Sequence, residues 1–218
     1  MGLSAVIVTH DLAVVRLLAD RLMVMKDGRF IAVVGPSGVG KDSVIAGLLA
    51  RQPKLVAARR AITRPADTGG EAFDSLSEPA FAARVVQGDF VLHWGAHRLF
   101  YGIPASVADD LDAGRDVLAN LSRSVLAPAA ALFPALVILS LTASPATLAA
   151  RLIGRGRETQ ADVATRLTRV APPFPAGMRV VSIANDGALD DTVSAAFAAL
   201  YPPRQPPVQF GFDNMKAG

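Results

Sequence analysis

Cysteine is absent from the 218-residue chain. Disulfide bonds, zinc sites built from thiolates and cysteine nucleophiles are therefore all excluded. Because nothing in the sequence calls for an oxidising compartment, a cytoplasmic location is the expectation that follows. Aromatic residues are also scarce, at 6% of the chain against 51% hydrophobic residues in total, so the core must consist largely of aliphatic side chains.

Runs of basic residues are absent as well, although the formal net charge is +3 and the sequence pI is about 9.7. Proteins that bind nucleic acid through an electrostatic surface usually cluster their lysines and arginines. The scattered arginines of this chain instead predict local binding of small anions. No nucleic-acid partner is expected, and the oligomeric state cannot be read from the sequence.

Charged residues are missing from Ser124 to Ala150, a stretch longer than the roughly 20 apolar residues that span a bilayer. Three prolines divide this stretch, at positions Pro128, Pro134 and Pro145. The pattern therefore predicts a helix over 124–132, a buried strand over 135–142 and a new helix over 145–153. No membrane association is expected.

A glycine-rich segment follows the apolar run Phe30–Val34 and precedes a helical pattern that begins at Ser43. Its residues, in order, are Gly35, Pro36, Ser37, Gly38, Val39, Gly40, Lys41, Asp42 and Ser43. The spacing Gly-x4-Gly-Lys between a strand and a helix is typical of a loop that holds the phosphates of a nucleoside triphosphate. All of these residues are predicted to bind the nucleotide. The Ser or Thr that usually follows the lysine is replaced by Asp42.

Strand-like and helix-like segments alternate from Arg29 to about residue 200, which predicts an α/β domain with a parallel sheet covered by helices on both faces. Between about residues 60 and 103 the strands are too short for that sheet, so this part is predicted to form a substrate lobe. Ser77 is predicted to cap a helix within the lobe. The proline-rich sequence over residues 201–218 predicts a disordered tail.

Residues 1–28 differ in pattern from the rest of the chain. The run from Val6 to Asp11, with the downstream stretch from Ala19 to Gly28, resembles the C-terminal end of an ABC-type ATPase. In that family the histidine equivalent to His10 contacts the γ-phosphate, but no ATPase body precedes it in this sequence, so no catalytic role is assigned to it. The segment is interpreted as an appended remnant of an upstream gene product or as the result of a mis-set start. The competing interpretation is a structural role, with its helix packed on the main domain.

Further short motifs follow the glycine-rich segment in a fixed order. They are Ile62-Thr63-Arg64, Gly88-Asp89-Phe90, Phe100-Tyr101-Gly102, Gly154-Arg155-Gly156-Arg157-Glu158, Arg166-Leu167 and Asn185-Asp186. Together they resemble guanylate-kinase-like P-loop kinases over about residues 29–200. The resemblance implies a P-loop nucleoside-monophosphate-kinase-like sheet, a substrate lobe over about 60–103, a lid over about 154–158, and the use of ATP and Mg2+.

Three features depart from guanylate kinases. Leu92 replaces the carboxylate that reads the guanine edge in that family, the strand after the lobe carries no aspartate near its end, and Asp42 replaces the metal-binding hydroxyl. A leucine cannot form hydrogen bonds to a guanine base. The acceptor is therefore expected to differ from a guanine nucleotide.

The segments Gly40–Ser43, Asn120–Arg123 and Arg155–Glu158 instead resemble the ribose 1,5-bisphosphate phosphokinase family, whose acceptor has a ribose and two phosphates but no base. That resemblance implies ATP-dependent phosphorylation of ribose 1,5-bisphosphate to 5-phosphoribosyl 1-diphosphate (PRPP) in phosphonate degradation. One alternative is a guanylate or other nucleoside monophosphate kinase. Another is a non-catalytic ATP-binding partner of a phosphonate-processing complex.

The resemblance also implies roles for individual residues. Lys41, Arg155 and Arg157 are expected to neutralise charge during phosphoryl transfer. Asp42 and Ser43 are expected to face the metal. A separate hypothesis is that Asp42 supplies, directly or through water, the metal-directed carboxylate that the strand after the lobe lacks. The expected acceptor-binding residues are Arg64, Tyr101, Asn120, Arg123 and Arg166.

Binding or packing roles are also predicted for several other residues. Asn185 lies where relatives line the adenine pocket, although Asn-Asp-Gly is also an ordinary turn sequence. Arg151 and Arg169 are further candidates for phosphate binding. His93 and His97 either contact the acceptor or pack on the surface, and Trp94 is expected in the core of the lobe.

Overall fold

The computed structural model describes residues 28–65, 72–154 and 172–203. Within these ranges the strands are β1 (Phe30–Val34), β2 (Leu55–Ala57), β3 (Ala61–Ile62), β4 (Asp74–Ser75), β5 (Phe90–Ala96), β6 (Leu99–Pro104), β7 (Asp116–Asn120), β8 (Val137–Thr142) and β9 (Arg179–Ala184). The α-helices are α1 (Lys41–Arg51), α2 (Glu78–Val86), α3 (Val107–Asp112), α4 (Leu126–Leu132), α5 (Pro145–Gly154) and α6 (Leu189–Leu200). A short 3-10 helix, Arg123–Val125, precedes α4.

A five-stranded parallel sheet in the order β2-β7-β1-β8-β9 forms the centre of the domain. Its central strand, β1, consists of apolar residues that are all buried. Such an uninterrupted apolar run is expected where both faces of a sheet are covered. Because the strands are parallel, their carboxyl ends meet at one edge, where Val33 of β1 is in register with Asn120 of β7.

Alternate side chains of β1 pack on opposite faces of this sheet. Phe30, Ala32 and Val34 belong to a core that includes Leu126 and Ala129 of α4. The other face, which carries Ile31 and Val33, belongs to a core with α1, α5 and α6. The predicted sheet covered by helices on both faces is confirmed.

A second, mostly antiparallel sheet has the order β4-β3-β6-β5. It comprises the short strands that the sequence analysis placed in a substrate lobe, together with α2. Ser77 caps α2 as predicted, since its hydroxyl accepts a hydrogen bond of 3.3 Å from the N–H of Ala80. The sequence analysis missed β2, β3 and β4, because strands of two or three residues carry too little periodicity to be detected.

The charge-free stretch from Ser124 to Ala150 forms the end of the 3-10 helix, α4, β8 and the start of α5. The predicted division at the prolines is therefore confirmed, with β8 beginning two residues later than the sequence analysis placed it. In the described part of the chain, no helix is both long and apolar enough to cross a membrane. The ABC-like segment and nearly all of the proline-rich tail lie outside the described residues.

A buried charge cluster joins the amino end of the sheet to the end of α6. The Arg29 guanidinium is ion-paired with Asp116 at 2.5 Å and donates to the carbonyl oxygen of Leu200 at 2.9 Å. The hydroxyl of Tyr201 donates to the same Asp116 carboxylate at 2.7 Å. Burial raises the pKa of Asp116, but the hydrogen bonds from Arg29 and Tyr201 outweigh burial and hold that pKa below its ordinary value.

Candidate active site

The phosphate loop, Gly35–Gly40, connects β1 to α1. Gly38 and Gly40 have φ angles of 83° and 90°, in the left-handed region that glycine adopts without strain. A Cβ atom on Gly38 would lie 3.2 Å from the Leu152 side chain of α5, and Val39 is fully buried. The back of the loop is therefore packed tightly against the domain, as a cradle for phosphates requires.

Asn185 supports this loop from behind. Its Nδ2 donates to the carbonyl oxygen of Val39 at 2.7 Å, and its Oδ1 accepts from the hydroxyl of Thr192 at 2.8 Å. Arg151 of α5 donates to the backbone carbonyl of Asn185 at 2.8 Å. Both ends of the buried Asn185 amide thus contact protein groups. Its assignment to the adenine pocket stays a prediction.

Lys41 is the first residue of α1 and lies across the phosphate loop. Its Nζ donates to the carbonyl oxygens of Gly35 and Pro36, at 2.9 and 3.1 Å. All three residues, with Ser37, line a cleft. The ammonium group is thereby held beside the backbone that would surround a bound phosphate, which is the location that its predicted role requires.

Asp42 and Ser43 follow in the first turn of α1. Asn120, the last residue of β7, donates from Nδ2 to Oδ1 of Asp42 at 3.1 Å. The adjoining ends of α1 and β7 thus bring together a predicted metal-facing residue and a predicted acceptor-binding residue. An amide with two donor hydrogens can both orient a carboxylate and contact a substrate, so the contact is compatible with both predicted roles.

The residues present fit a magnesium ion. Carboxylate and hydroxyl oxygens, such as those of Asp42 and Ser43, are the hard ligands that Mg2+ prefers, and in kinases the ion takes its other ligands from phosphates and water. Among the described residues, no group of three or more His, Cys, Asp or Glu side chains could hold a metal by itself. A site completed by nucleotide phosphates is therefore the arrangement that suits this chain.

The cleft has a volume of about 760 Å³ and lies between the phosphate loop and the lobe. Three cationic side chains line it, those of Lys41, Arg60 and Arg123. Of the described residues that line the cleft, none is an aspartate or a glutamate. The described lining thus contains cationic but no anionic side chains, a composition that favours a ligand with several negative charges.

Arg60 was not singled out by the sequence analysis. It precedes β3, is only 9% exposed, and donates from Nη1 to the carbonyl oxygen of Asn120 at 2.7 Å. Its guanidinium lies over the ring of Tyr101, with Cζ 5.3 Å from the ring centroid. No sequence signal separates Arg60 from the adjacent Arg59, which is exposed and ion-paired with Asp74.

The aromatic wall of the cleft consists of Tyr101 and Trp94, whose rings stack at 5.3 Å and 11°. Trp94 is 8% exposed and belongs to the hydrophobic core, as predicted, while also lining the cleft. His97 lines the cleft too, whereas His93 points to the exposed face of β5. His97 follows the last residue of β5 and has a φ angle of 53°, so its side chain does not continue the alternation of the strand.

Arg123 lies on the opposite wall from the lobe. Its Nη2 donates to the hydroxyl of Ser140 and its Nη1 to the carbonyl oxygen of Pro172, both at 3.4 Å. The guanidinium also lies over Phe174, 4.2 Å from the ring centroid. These contacts place the predicted acceptor-binding cation in the wall of the cleft.

Arg64, another predicted acceptor-binding residue, does not lie beside Arg123 and Tyr101 in the described wall of the cleft. Its guanidinium is 4.4 Å from the ring centroid of Phe73, and its buried Nε has no hydrogen-bond partner among the described residues. Arg64 is not one of the described residues that line the cleft. Leu92, which replaces the guanine-reading carboxylate by resemblance, is 6% exposed and packs in the core with Phe30 and Ile103. Its apolar character is thus required by packing.

Several predicted site residues lie outside the described part of the chain. These are the lid arginines Arg155 and Arg157 and the helix arginines Arg166 and Arg169. Their expected roles remain predictions. Arg151, in the last described turns of α5, donates to the backbone carbonyl of Asn185 behind the phosphate loop and so supports that loop.

Comparison with known proteins gives several matches at the level of sequence, although no family model matches. The chain is 48% identical over 182 residues to the bifunctional ribose 1,5-bisphosphokinase-thymidine phosphorylase of Azorhizobium caulinodans. That match covers 82% of this chain and 26% of the other protein. It is 47% identical over 174 residues to the ribose 1,5-bisphosphate phosphokinase PhnN of Ruegeria sp., covering 79% of this chain and 92% of that protein. The chain thus spans about a quarter of the first relative and nearly all of the second.

Among solved structures, guanylate kinase from Anaplasma phagocytophilum matches with a TM-score of 0.62 over 82% of this chain and 87% of that chain, at 18% sequence identity. This likeness confirms the predicted α/β P-loop kinase fold. At that identity it concerns the fold alone. The match to the Ruegeria protein is both extensive and close in sequence. The chain therefore belongs to the ribose 1,5-bisphosphate phosphokinase family.

Proposed function

We propose that the chain transfers the γ-phosphoryl group of ATP to the C1 phosphate of ribose 1,5-bisphosphate, which yields ADP and PRPP. The names of relatives that are 47% and 46% identical over nearly their whole length support this acceptor. A place in phosphonate degradation is proposed on the family resemblance stated above. We propose a cytoplasmic location on the composition of the chain.

The observation that carries the proposal is the charge of the cleft. Lys41, Arg60 and Arg123 line it beside the phosphate loop, and the described lining residues include no carboxylate. A ribose with two phosphates brings several negative charges and no base. A guanine base would instead call for hydrogen-bond acceptors such as a carboxylate, and unmatched polar edges in a closed site are strongly penalised.

The reaction needs no general base. The second pKa of a phosphate monoester is near 6, so the C1 phosphate is largely dianionic at pH 7. One of its oxygens forms a bond to the γ-phosphorus, the bond from that phosphorus to the bridging oxygen breaks, and the electron pair leaves with ADP. Catalysis then rests on positioning and on cations that offset the repulsion between two anions.

The chain's own residues would divide this work. The backbone of Gly35–Gly40 and the Nζ of Lys41 hold the β- and γ-phosphates, while Arg123 binds the acceptor from the opposite wall. The lid arginines Arg155 and Arg157 complete the cationic surroundings of the transferring group. Tyr101, Asn120, Arg64 and Arg166 are the further acceptor contacts that the family resemblance implies.

Mg2+, when bound, neutralises charge on the phosphates and keeps them in line for transfer. Asp42 and Ser43 are the residues that would hold it. The hydrogen bond from Asn120 supports this assignment of Asp42, because it fixes one carboxylate oxygen and so limits the directions in which the other can point.

The test is a direct comparison of acceptors. The purified full chain is assayed with ATP, Mg2+ and either ribose 1,5-bisphosphate or GMP, with ADP release and the phosphorus NMR spectrum of the product as readouts. We expect a higher kcat/KM for ribose 1,5-bisphosphate, with a diphosphate product. Better turnover of GMP would contradict the proposal. ATP binding without transfer to either acceptor would favour a non-catalytic partner.

A further inference from the structure

Arg60 is a buried cation in the wall of the cleft. It is 9% exposed, lies just before the first strand of the lobe, and lines the same cleft as the phosphate-loop lysine Lys41. An arginine loses much of its hydration when it is buried in this way, so its interactions with an incoming anion are stronger than those of a surface arginine.

Contacts with other described residues orient the Arg60 guanidinium. Nη1 donates to the carbonyl oxygen of Asn120 at 2.7 Å, and the guanidinium plane lies over the ring of Tyr101. Tyr101 is in turn stacked on Trp94, which is buried in the core. A guanidinium held in one orientation loses little conformational entropy when it binds a phosphate with two parallel hydrogen bonds.

Asn120 forms hydrogen bonds both with Arg60 and with a residue on the nucleotide side of the cleft. Its backbone carbonyl accepts from Arg60, and its side-chain amide donates to Asp42 beside the phosphate loop. The Arg60 guanidinium is therefore connected to the first turn of α1 through hydrogen bonds of a single residue, Asn120. By contrast, Arg64 lies over Phe73 and does not line the cleft.

We propose that Arg60 binds the C1 phosphate of the acceptor, the group whose oxygen attacks ATP. This inference rests on the proposed function. In the transfer described above, the attacking dianion approaches an already anionic γ-phosphate, and a desolvated cation on the acceptor side offsets that repulsion. Arg60 is thereby also a specificity residue, because an acceptor that attacks through an uncharged hydroxyl would gain less from it.

Arg59 provides a matched control. It is the preceding residue and carries the same charge, but its side chain is 64% exposed and its Nε is ion-paired with Asp74 on the surface at 2.6 Å. Replacing Arg59 by alanine changes the net charge and the local sequence as much as the same replacement at Arg60. Only the second replacement removes a cation from the cleft.

The experiment compares Arg60→Ala, Arg60→Lys and Arg59→Ala in the full chain. Initial rates are measured with ribose 1,5-bisphosphate and ATP varied separately, and acceptor binding without ATP is measured as the rise in Tm that the acceptor causes. We expect Arg60→Ala to raise the acceptor KM by at least about tenfold and to abolish most of the acceptor-induced Tm rise, with the ATP KM unchanged. Arg60→Lys should show a smaller loss in the same direction, because an ammonium cannot reproduce the planar fork.

Arg59→Ala should behave as the wild type. Equal acceptor KM values for Arg60→Ala and Arg59→Ala would overturn the proposal, as would an equal loss toward ATP and acceptor, which would indicate that Arg60 merely supports Asn120. If Arg60→Ala does not fold, a wild-type acceptor KM in Arg60→Lys overturns it.

The result that would refute the proposed function differs from the results that would refute the role of Arg60. Wild-type protein that binds ribose 1,5-bisphosphate without transferring phosphate to it would refute the proposed reaction. Loss of that binding in Arg60→Ala, but not in Arg59→Ala, would still support Arg60 as the phosphate-binding residue.

Discussion

The side-chain amide of Asn120 donates a hydrogen bond of 3.1 Å to Oδ1 of Asp42. These two residues occupy two of the positions at which the sequence departs from guanylate kinases, and the fold brings them into contact across the carboxyl end of β7 and the first turn of α1. An amide beside a carboxylate is a favourable pair, whereas two carboxylates at this distance would repel each other and one would take up a proton. An asparagine at position 120 is therefore electrostatically compatible with an aspartate at position 42.

Asp42→Asn should lower kcat roughly 100-fold and weaken the dependence of activity on Mg2+, because it removes the charge that we assign to the metal. A second readout is the Mg2+ concentration needed for ATP to raise the Tm, which should increase. Full activity with unchanged Mg2+ dependence would contradict the assignment.

Asn120→Ala tests the contact itself. We expect about a tenfold loss of activity, as is typical when a group that orients a metal ligand is removed. In the double variant Asp42→Asn/Asn120→Ala the losses should be less than additive, since the second change removes a partner that has already lost its charge. Strict additivity would mean that the hydrogen bond has no role in the reaction.

Gly40→Ala should abolish tight ATP binding. The residue has a φ angle of 90°, and an added Cβ would lie 2.8 Å from Nδ2 of Asn185, so both the loop and its support must shift. Gly177→Ala is the matched control, because its φ is 78° but no atom lies within 4 Å of the added Cβ.

Both glycine variants should lose about 1 kcal/mol of stability or more from backbone strain, but only Gly40→Ala should lose affinity for ATP by calorimetric titration. Equal ATP affinity in the two variants would show that the contact between the loop and Asn185 does not shape the nucleotide site.

Asp116→Asn should lower the free energy of unfolding by about 3 kcal/mol at pH 7, because it leaves the buried Arg29 without its counter-charge. The pKa of Asp116 is lower in the folded protein than in the unfolded chain, where it is about 3.9. Its contribution to stability is therefore complete above the unfolded pKa and is lost as the pH falls through the folded pKa.

Urea unfolding between pH 7 and about pH 3 checks this prediction. The wild type should lose stability over the acid part of the range, and the difference from Asp116→Asn should shrink there. Asp112→Asn, which changes an exposed carboxylate at the end of α3, should follow the wild type throughout. A difference that is constant with pH would exclude the charge as the cause.

Leu92→Glu should destabilise the domain by at least about 3 kcal/mol without creating activity toward GMP. The side chain is 6% exposed and packs with Phe30, Trp94 and Ile103, so the new carboxylate would be buried among apolar groups. Leu92→Met keeps the volume and should cost less than about 1.5 kcal/mol. A folded Leu92→Glu protein that phosphorylates GMP would show that this position faces the acceptor.

Those features of the fold that follow from local pattern could be predicted from the sequence. The buried run Phe30–Val34, the Ser77 cap of α2 and the division of the charge-free stretch at its prolines each depend on neighbouring residues along the chain. The phosphate loop is predictable for the same reason, since its glycines and Lys41 are consecutive.

Features that depend on contacts between distant segments could not be predicted in this way. Arg59 and Arg60 are equivalent in the sequence, but in the folded lobe, where the following Ala61 pairs with Gly102, Arg60 is buried and Arg59 is exposed. The hydrogen bonds of Asn185 behind the phosphate loop likewise require β9 and α6 to be in place. The sequence therefore indicated which chemistry to expect, but did not identify every residue that forms the cleft.

The cluster of Arg29, Asp116 and Tyr201 has a consequence for how this domain can be joined to other polypeptides. Because Arg29 bonds directly to Leu200, the entry and exit points of the domain are neighbours, on the side of the sheet opposite the phosphate loop. Both points of the described domain thus lie in one place, on the side of the sheet away from the cleft. The same module can thus be carried within a longer protein without obstruction of its catalytic edge.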